Sequence, residues 1–281
     1  MTRDPRLHSL YGLKFNPFLP DVPLDALYIP GIVGSFIERC ESHLTEGGFA
    51  LLTGLPGLGK SVALRLLCSH LSRRRDVMVR SITYPQCRIS DFYRELGDAF
   101  GLPLNSNNRW GSFKMVREKW QTHLESTSLR PILVIDEAQE TLPVVLRELR
   151  LLTSKEFDSQ TLLFVILVGD LRLLDTLHAP DLLPIESRLR TRVRLEPVSV
   201  TELTHCLNHV LEQAGNTQLF TPEALTALVE HSAGNHRTMM LRGNELLMAA
   251  VQRDARQIDE KLFFEIVANP TRQSRSARKR R

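Results

Sequence analysis

No apolar run in these 281 residues is long enough to cross a bilayer: the longest, Leu162 to Val168, has the length of a strand and polar flanks. The first residues, Met1-Thr2-Arg3-Asp4-Pro5-Arg6, lack the apolar core of a signal peptide, so a cytoplasmic, soluble protein without a membrane partner is expected. There is no C-x-x-C pair. Cys40, Cys68, Cys87 and Cys206 are widely spaced, which fits reduced, partly buried fillers and not a disulfide framework or a zinc site. An H-E-x-x-H motif is missing too. His205 and His209 stand four apart, but Leu203, Cys206, Leu207 and Val210 make the buried stripe of their helix and leave both histidines on its flank. Trp110 and Trp120 are isolated, so packing is expected of them rather than base stacking.

Hydrophobic residues are plentiful, 42% of the chain, enough for one large α/β domain and a small companion. Residues 270–281 contain no acid and six basic side chains; the whole chain's +4 less these six leaves residues 1–269 at −2. The high isoelectric point therefore belongs to this tail, which is expected to be disordered in isolation and drawn to polyanions.

The most specific pattern is Gly54-Leu55-Pro56-Gly57-Leu58-Gly59-Lys60-Ser61, a G-x-x-x-x-G-K-[ST] run that follows the apolar stretch Phe49 to Thr53 and precedes a helix. Its glycines let the backbone curl so that successive N–H groups point at phosphates, and the helix presents its positive dipole end there. With Val62 after it, this run is the expected nucleoside triphosphate site: Lys60 on the β- and γ-phosphates, the Ser61 hydroxyl on Mg²⁺. Further along, Pro131 to Ile135 reads as a central parallel strand that ends in Asp136 and Glu137. Asp136 can enter the Mg²⁺ shell. Glu137 is placed to accept a proton from, or to orient, an attacking water.

Strands expected at 49–53, 77–83, 132–136, 162–168 and 193–195 alternate with helices at 32–44, 61–72, 89–100, 112–124 and 143–152, which argues for a mainly parallel sheet covered on both faces. From Val200 the pattern is helical only, with Thr201 and Thr221 as expected N-caps and Pro222 in a first turn. The expected organisation is an extended, proline-punctuated arm over residues 1–30, a nucleotide-binding α/β domain over 31–197, a helical domain over 198–268 and the basic tail over 269–281.

These residues resemble an AAA+ ATPase, and more narrowly the ExeA/TniB/TnsC group of secretion-pathway and DNA-transposition ATPases. The resemblance spans residues 11–267: Tyr-Gly-Leu-x-x-Asn-Pro-Phe at 11–18, the 54–61 run, Ile135 to Gln139, Glu148 to Leu152, Ile185 to Arg190, and Gly234-Asn235-His236-Arg237. It implies a P-loop parallel sheet followed by a small all-helical lid, ATP and Mg²⁺ as cofactors, and a homo-oligomeric ring or filament. Arg188 is similar to an arginine finger that completes a neighbour's site, with Arg190 and Arg192 as rivals, and Arg237 to a sensor arginine on the lid. Such an arginine is worth about 10³–10⁵ in rate. Where AAA+ proteins usually carry a neutral polar residue at the end of the fourth strand, this chain has Gly169-Asp170.

Secretion-type relatives continue into a membrane span and a wall-binding domain, whereas this chain continues into the basic tail, which turns the expectation toward a transposition regulator. Such a protein assembles on DNA with ATP and recruits a transposase, and hydrolysis disassembles it. Arg88, Arg109 and Lys114, between strands two and three, are the candidate DNA contacts. An IstB/DnaC-like loader acting on another client, and an ExeA-like secretion ATPase, are the alternatives.

Overall fold

A computed structural model describes residues 5–155 and 160–268. They form two compact units, one of residues 31–56, 60–155 and 160–196, the other of residues 5–30, 57–59 and 197–268. In chain order the strands are β1 (Gly48–Gly54), β2 (Val77–Ile82), β3 (Arg130–Ile135), β4 (Ser154–Lys155), β5 (Gln160–Thr161), β6 (Phe164–Gly169) and β7 (Leu189–Leu195). The helices are α1 (Pro5–Tyr11), α2 (Gly31–Ser42), α3 (Lys60–Ser72), α4 (Ile89–Phe100), α5 (Arg109–Thr127), α6 (Pro143–Thr153), α7 (Arg172–Leu177), α8 (Leu183–Glu186), α9 (Val200–Ala214), α10 (Pro222–Glu230), α11 (His236–Gln252) and α12 (Glu260–Phe263).

Three apolar runs dictate the centre of the α/β unit. β1, β3 and β6 are buried almost end to end, as strands covered on both faces must be, and they sit inside a five-stranded sheet of order β2-β3-β6-β1-β7. Every pairing is parallel, so each strand returns through a crossover carrying helices. Phe49, Leu51, Leu133, Ile135, Val165 and Leu167 pack on Phe92, Leu96, Val116, Trp120, Leu146 and Leu149 on one face. The register Thr53↔Gly169 and Ile135↔Leu167 brings the carboxyl ends of β1, β6 and β3 level. That shared end is where ligands bind in open parallel sheets.

Several elements differ from the sequence reading. β7 begins at Leu189, four residues before the expected strand, because an edge strand buries only alternate side chains: Thr191, Val193 and Leu195 face in and Arg190, Arg192 and Arg194 face out. Trp120 is fully buried, but Trp110 is 71% exposed and stacks on Phe113 with ring centroids 5.8 Å apart. A short antiparallel ribbon, β4 with β5, had no counterpart in the expected pattern.

The helical unit has its own core of Leu203, Leu207, Leu211, Leu228, Met239, Leu246 and Phe263, joined by Leu7, Tyr11, Leu13 and Phe18 of the amino-terminal segment. That segment is not simply extended: it opens with α1, and its polar groups are tied into this unit. The Tyr11 hydroxyl donates to the Ala255 carbonyl at 2.7 Å and Asn16 Nδ2 donates to Asn244 Oδ1 at 2.9 Å. Thr221 caps α10 and Pro222 opens it. For α9 the cap is Ser199, not Thr201; the Ser199 hydroxyl accepts from the Glu202 N–H at 3.1 Å, and Thr201 already lies in the first turn. The basic residues 270–281 lie outside the described residues.

Candidate functional site

In the α/β unit β1 delivers the chain into the glycine loop, and α3 starts at Lys60. Gly57 and Gly59 take φ of +86° and +95°, the left-handed region that side chains other than glycine rarely adopt. The Lys60 side chain is 8% exposed and its ammonium donates to the carbonyls of Gly54 at 2.9 Å and Leu55 at 3.2 Å, so it is held over the loop. No acid occupies the first turn of α3, which keeps the positive end of the helix dipole free for an anion.

Asp136 and Glu137 leave the carboxyl end of β3. Burial pushes the Asp136 carboxyl above the ordinary aspartate range, with the Glu137 charge adding to the effect; the Glu137 N–H, donated to Asp136 Oδ1 at 2.9 Å, and the Lys60 charge oppose it. A divalent cation beside Asp136 would offset that burial. The carboxylate of Asp136 and the hydroxyl of Ser61 are hard oxygen donors of the kind Mg²⁺ takes. Glu137 sits in left-handed backbone at φ +50°, its side chain exposed. Gln139 Nε2 donates to Glu137 Oε2 at 2.6 Å, and Gln139 Oε1 accepts from the Asp170 N–H at 3.0 Å. The Asp170 carboxylate is taken by Arg172, whose Nε lies 2.9 Å from Oδ2, and Arg172 also reaches Glu140 at 2.8 Å. Neither Gln139 nor Arg172 was expected at the site.

The arginines at β7 differ in their ties. Arg188 Nη1 donates to the Pro184 carbonyl, and Arg192 donates to Glu186 Oε1 at 2.9 Å and to the Glu186 carbonyl at 2.8 Å. Arg190 is exposed, 3.9 Å from Glu46 Oε2. Among the three DNA candidates, Arg88 is exposed at the N-cap of α4 and Lys114 is exposed beside Glu118 at 3.7 Å. Arg109 instead clamps the buried Glu148 with Nε and Nη2.

In the helical unit, Gly234 turns the chain at φ +76°, where a Cβ would lie 2.7 Å from the Val198 carbonyl. Asn235 then caps α11 through the Thr238 N–H, and Arg237 stands exposed in the first turn. Its backbone N–H donates at 3.0 Å to the carbonyl of Gly57, a residue grouped with this unit.

A glycine loop between β1 and α3, an Asp-Glu pair after β3 and a parallel sheet of order β2-β3-β6-β1-β7 coincide with a match of residues 43–177 to the AAA domain family. The chain has the AAA+ fold. Over 255 residues it is 32% identical to general secretion pathway protein A of Aeromonas hydrophila, a match that takes in 89% of this chain and 46% of that protein. The chain thus spans about half the length of that relative. The Cdc6p structure of Pyrobaculum aerophilum matches with a TM-score of 0.67 at 18% identity, over 86% of this chain and 67% of that one. The ORC1 protein of Aeropyrum pernix, solved in complex with DNA, matches at 0.63 and 18%, over 90% and 68%. At such identities the likeness concerns the AAA+ fold alone. No helix among the described residues is long and apolar enough to cross a membrane.

Proposed function

We propose that this AAA+ chain is a Mg²⁺-dependent ATPase whose nucleotide state governs its self-assembly. The observation that carries the reading is the common level of the Lys60 loop and the Asp136-Glu137 pair at one end of the parallel sheet. The N–H groups of residues 55–61 and the Lys60 ammonium bind the phosphates. Ser61 and Asp136 hold Mg²⁺, which when bound neutralises charge on the phosphates. Glu137 orients the attacking water and takes its proton. Arg188, with Arg190 and Arg192 as alternatives, stabilises the equatorial oxygens of a neighbouring subunit's phosphate, and Arg237, as the sensor arginine of the lid, meets the γ-phosphate bound by its own chain. Hydrolysis measured for Lys60→Ala and Glu137→Gln tests this division of roles.

The 32% identity supports an ExeA-like ATPase module that works on a client protein, as in secretion. A second reading, a DNA-bound regulator of transposition that recruits a transposase, rests on the exposed Arg88 and Lys114. Negative-stain imaging with a non-hydrolysable ATP analogue, with and without DNA, separates them. DNA-dependent rings or filaments favour the second reading, and assembly indifferent to DNA favours the first.

A further inference from the structure

Glu137 has left-handed backbone, and its carboxylate accepts a hydrogen bond from a neighbouring side chain. That side chain is Gln139. The Asp170 N–H can only donate, so the Gln139 amide oxygen faces it at 3.0 Å; the amide NH₂ then faces the carboxylate, an acceptor, at 2.6 Å. One amide thus spans from the end of β6, the central strand, to the carboxylate that follows β3.

Two features of β6 make this arrangement possible. Gly169 leaves the space: a Cβ there would lie 2.5 Å from Gln139 Oε1 and 3.1 Å from Leu173 Cδ2. Asp170, the next residue, cannot direct Glu137 itself, because a second carboxylate would repel it and because Arg172 already holds both Asp170 oxygens. The end of the central strand therefore offers Glu137 no neutral side chain of its own.

We propose that Gln139 is the positioning residue for Glu137: the neutral polar group at this end of the sheet comes from the loop after β3, and Gly169 exists to admit it. This rests on the reading of Glu137 as the group that activates water. Gln139 touches no phosphate in this account; it fixes the direction from which the Glu137 carboxylate addresses the water, and a misplacement of about 1 Å can cost about a hundredfold in rate.

Steady-state ATP hydrolysis by the full chain tests it. Gln139→Ala is expected to lower kcat roughly ten- to a hundredfold with KM changed less than about threefold, and to leave binding of a non-hydrolysable ATP analogue intact. Gly169→Ala keeps the amide but fills its space, and kcat should fall in the same way. The double variant should be about as slow as Gln139→Ala alone, since the nearest clashing atom, Gln139 Oε1, is gone and only the looser contacts with Leu173 Cδ2 at 3.1 Å and the Gln139 backbone nitrogen at 3.3 Å remain. Gln139→Glu, equal in length but a like charge, should not rescue kcat. If Gln139→Ala fails to fold, as loss of analogue binding and of a cooperative melt would reveal, Gly169→Ala carries the decision. A native or raised kcat in the folded variants, or a loss confined to KM, overturns the proposal. If Glu137→Gln hydrolyses ATP at the native rate, the underlying ATPase reading has failed instead; if Glu137→Gln is inactive and Gln139→Ala is normal, only the role of Gln139 falls.

Discussion

Arg109 closes over Glu148, a carboxylate only 1% exposed, while the Tyr93 hydroxyl donates to the same carboxylate from within the core at 2.6 Å. Nε and Nη2 of the guanidinium are both spent on one buried charge, which ties α5 to α6. Arg109→Ala should therefore destabilise the fold by about 2 kcal/mol in urea denaturation, because Glu148 loses its only cationic partner among the described residues. A variant with native stability and weakened DNA binding would move Arg109 to the nucleic acid instead.

Among the described residues, Arg88 and Lys114 make no comparable tie to a buried group. If they touch a DNA backbone, Arg88→Ala and Lys114→Ala should each reduce the slope of log affinity against log salt by about 0.9, alike for unrelated sequences. Deleting residues 271–281 should flatten it by up to roughly five units and leave ATP binding unchanged. An anisotropy titration at several salt concentrations reads all three, and an unchanged slope removes the residue or segment from the DNA.

Mixing Arg188→Ala protein with Lys60→Ala protein should restore part of the ATPase activity, since a mixed interface can join an intact loop to an intact arginine. The Pro184 carbonyl bonded to Arg188 and the Glu186 carboxylate bonded to Arg192 would have to be released on assembly, whereas Arg190 is bound only at 3.9 Å. Repeating the mixture with Arg190→Ala and Arg192→Ala ranks the three. Absence of rescue for Arg188→Ala, with normal co-assembly, removes it from the role.

Hydrogen bonds from Arg172 hold the Asp170 carboxyl below the usual carboxylate range, against a smaller opposing effect of burial. A folded pKa below the unfolded one gives stabilisation that is present above the ordinary aspartate value, about 3.9, and is lost as pH falls through the lowered value. Arg172→Met should accordingly melt earlier than the native protein at pH 7, and the difference should close in acid. A difference that persists at low pH would assign the effect to packing.

The fold was legible where its causes are local. The runs ending at Thr53, Ile135 and Val168 are apolar because their strands are buried on both faces, and Gly57 and Gly59 lie in the region only glycine enters freely. β7 was half missed because its arginines interrupt the apolar run that marks a buried strand, while the alternation proper to an edge was there to be read. Gln139 was visible as a letter after Asp-Glu-Ala, but its role depends on Gly169 and Asp170, 30 and 31 residues away, which only the pairing of β3 with β6 brings near. The tie of Arg109 to Glu148 is likewise tertiary, and no spacing along the chain announces it.

The most direct measurement compares ATP binding and single-turnover hydrolysis in the native protein, Lys60→Ala and Glu137→Gln. Lys60 meets phosphate in the ground state and the transition state alike, whereas Glu137 acts on the water. Lys60→Ala should bind ATP weakly; Glu137→Gln should bind it as the native protein does and hydrolyse it about 10²–10⁴-fold more slowly. Equal loss of binding in both variants, or native hydrolysis by Glu137→Gln, would contradict the account.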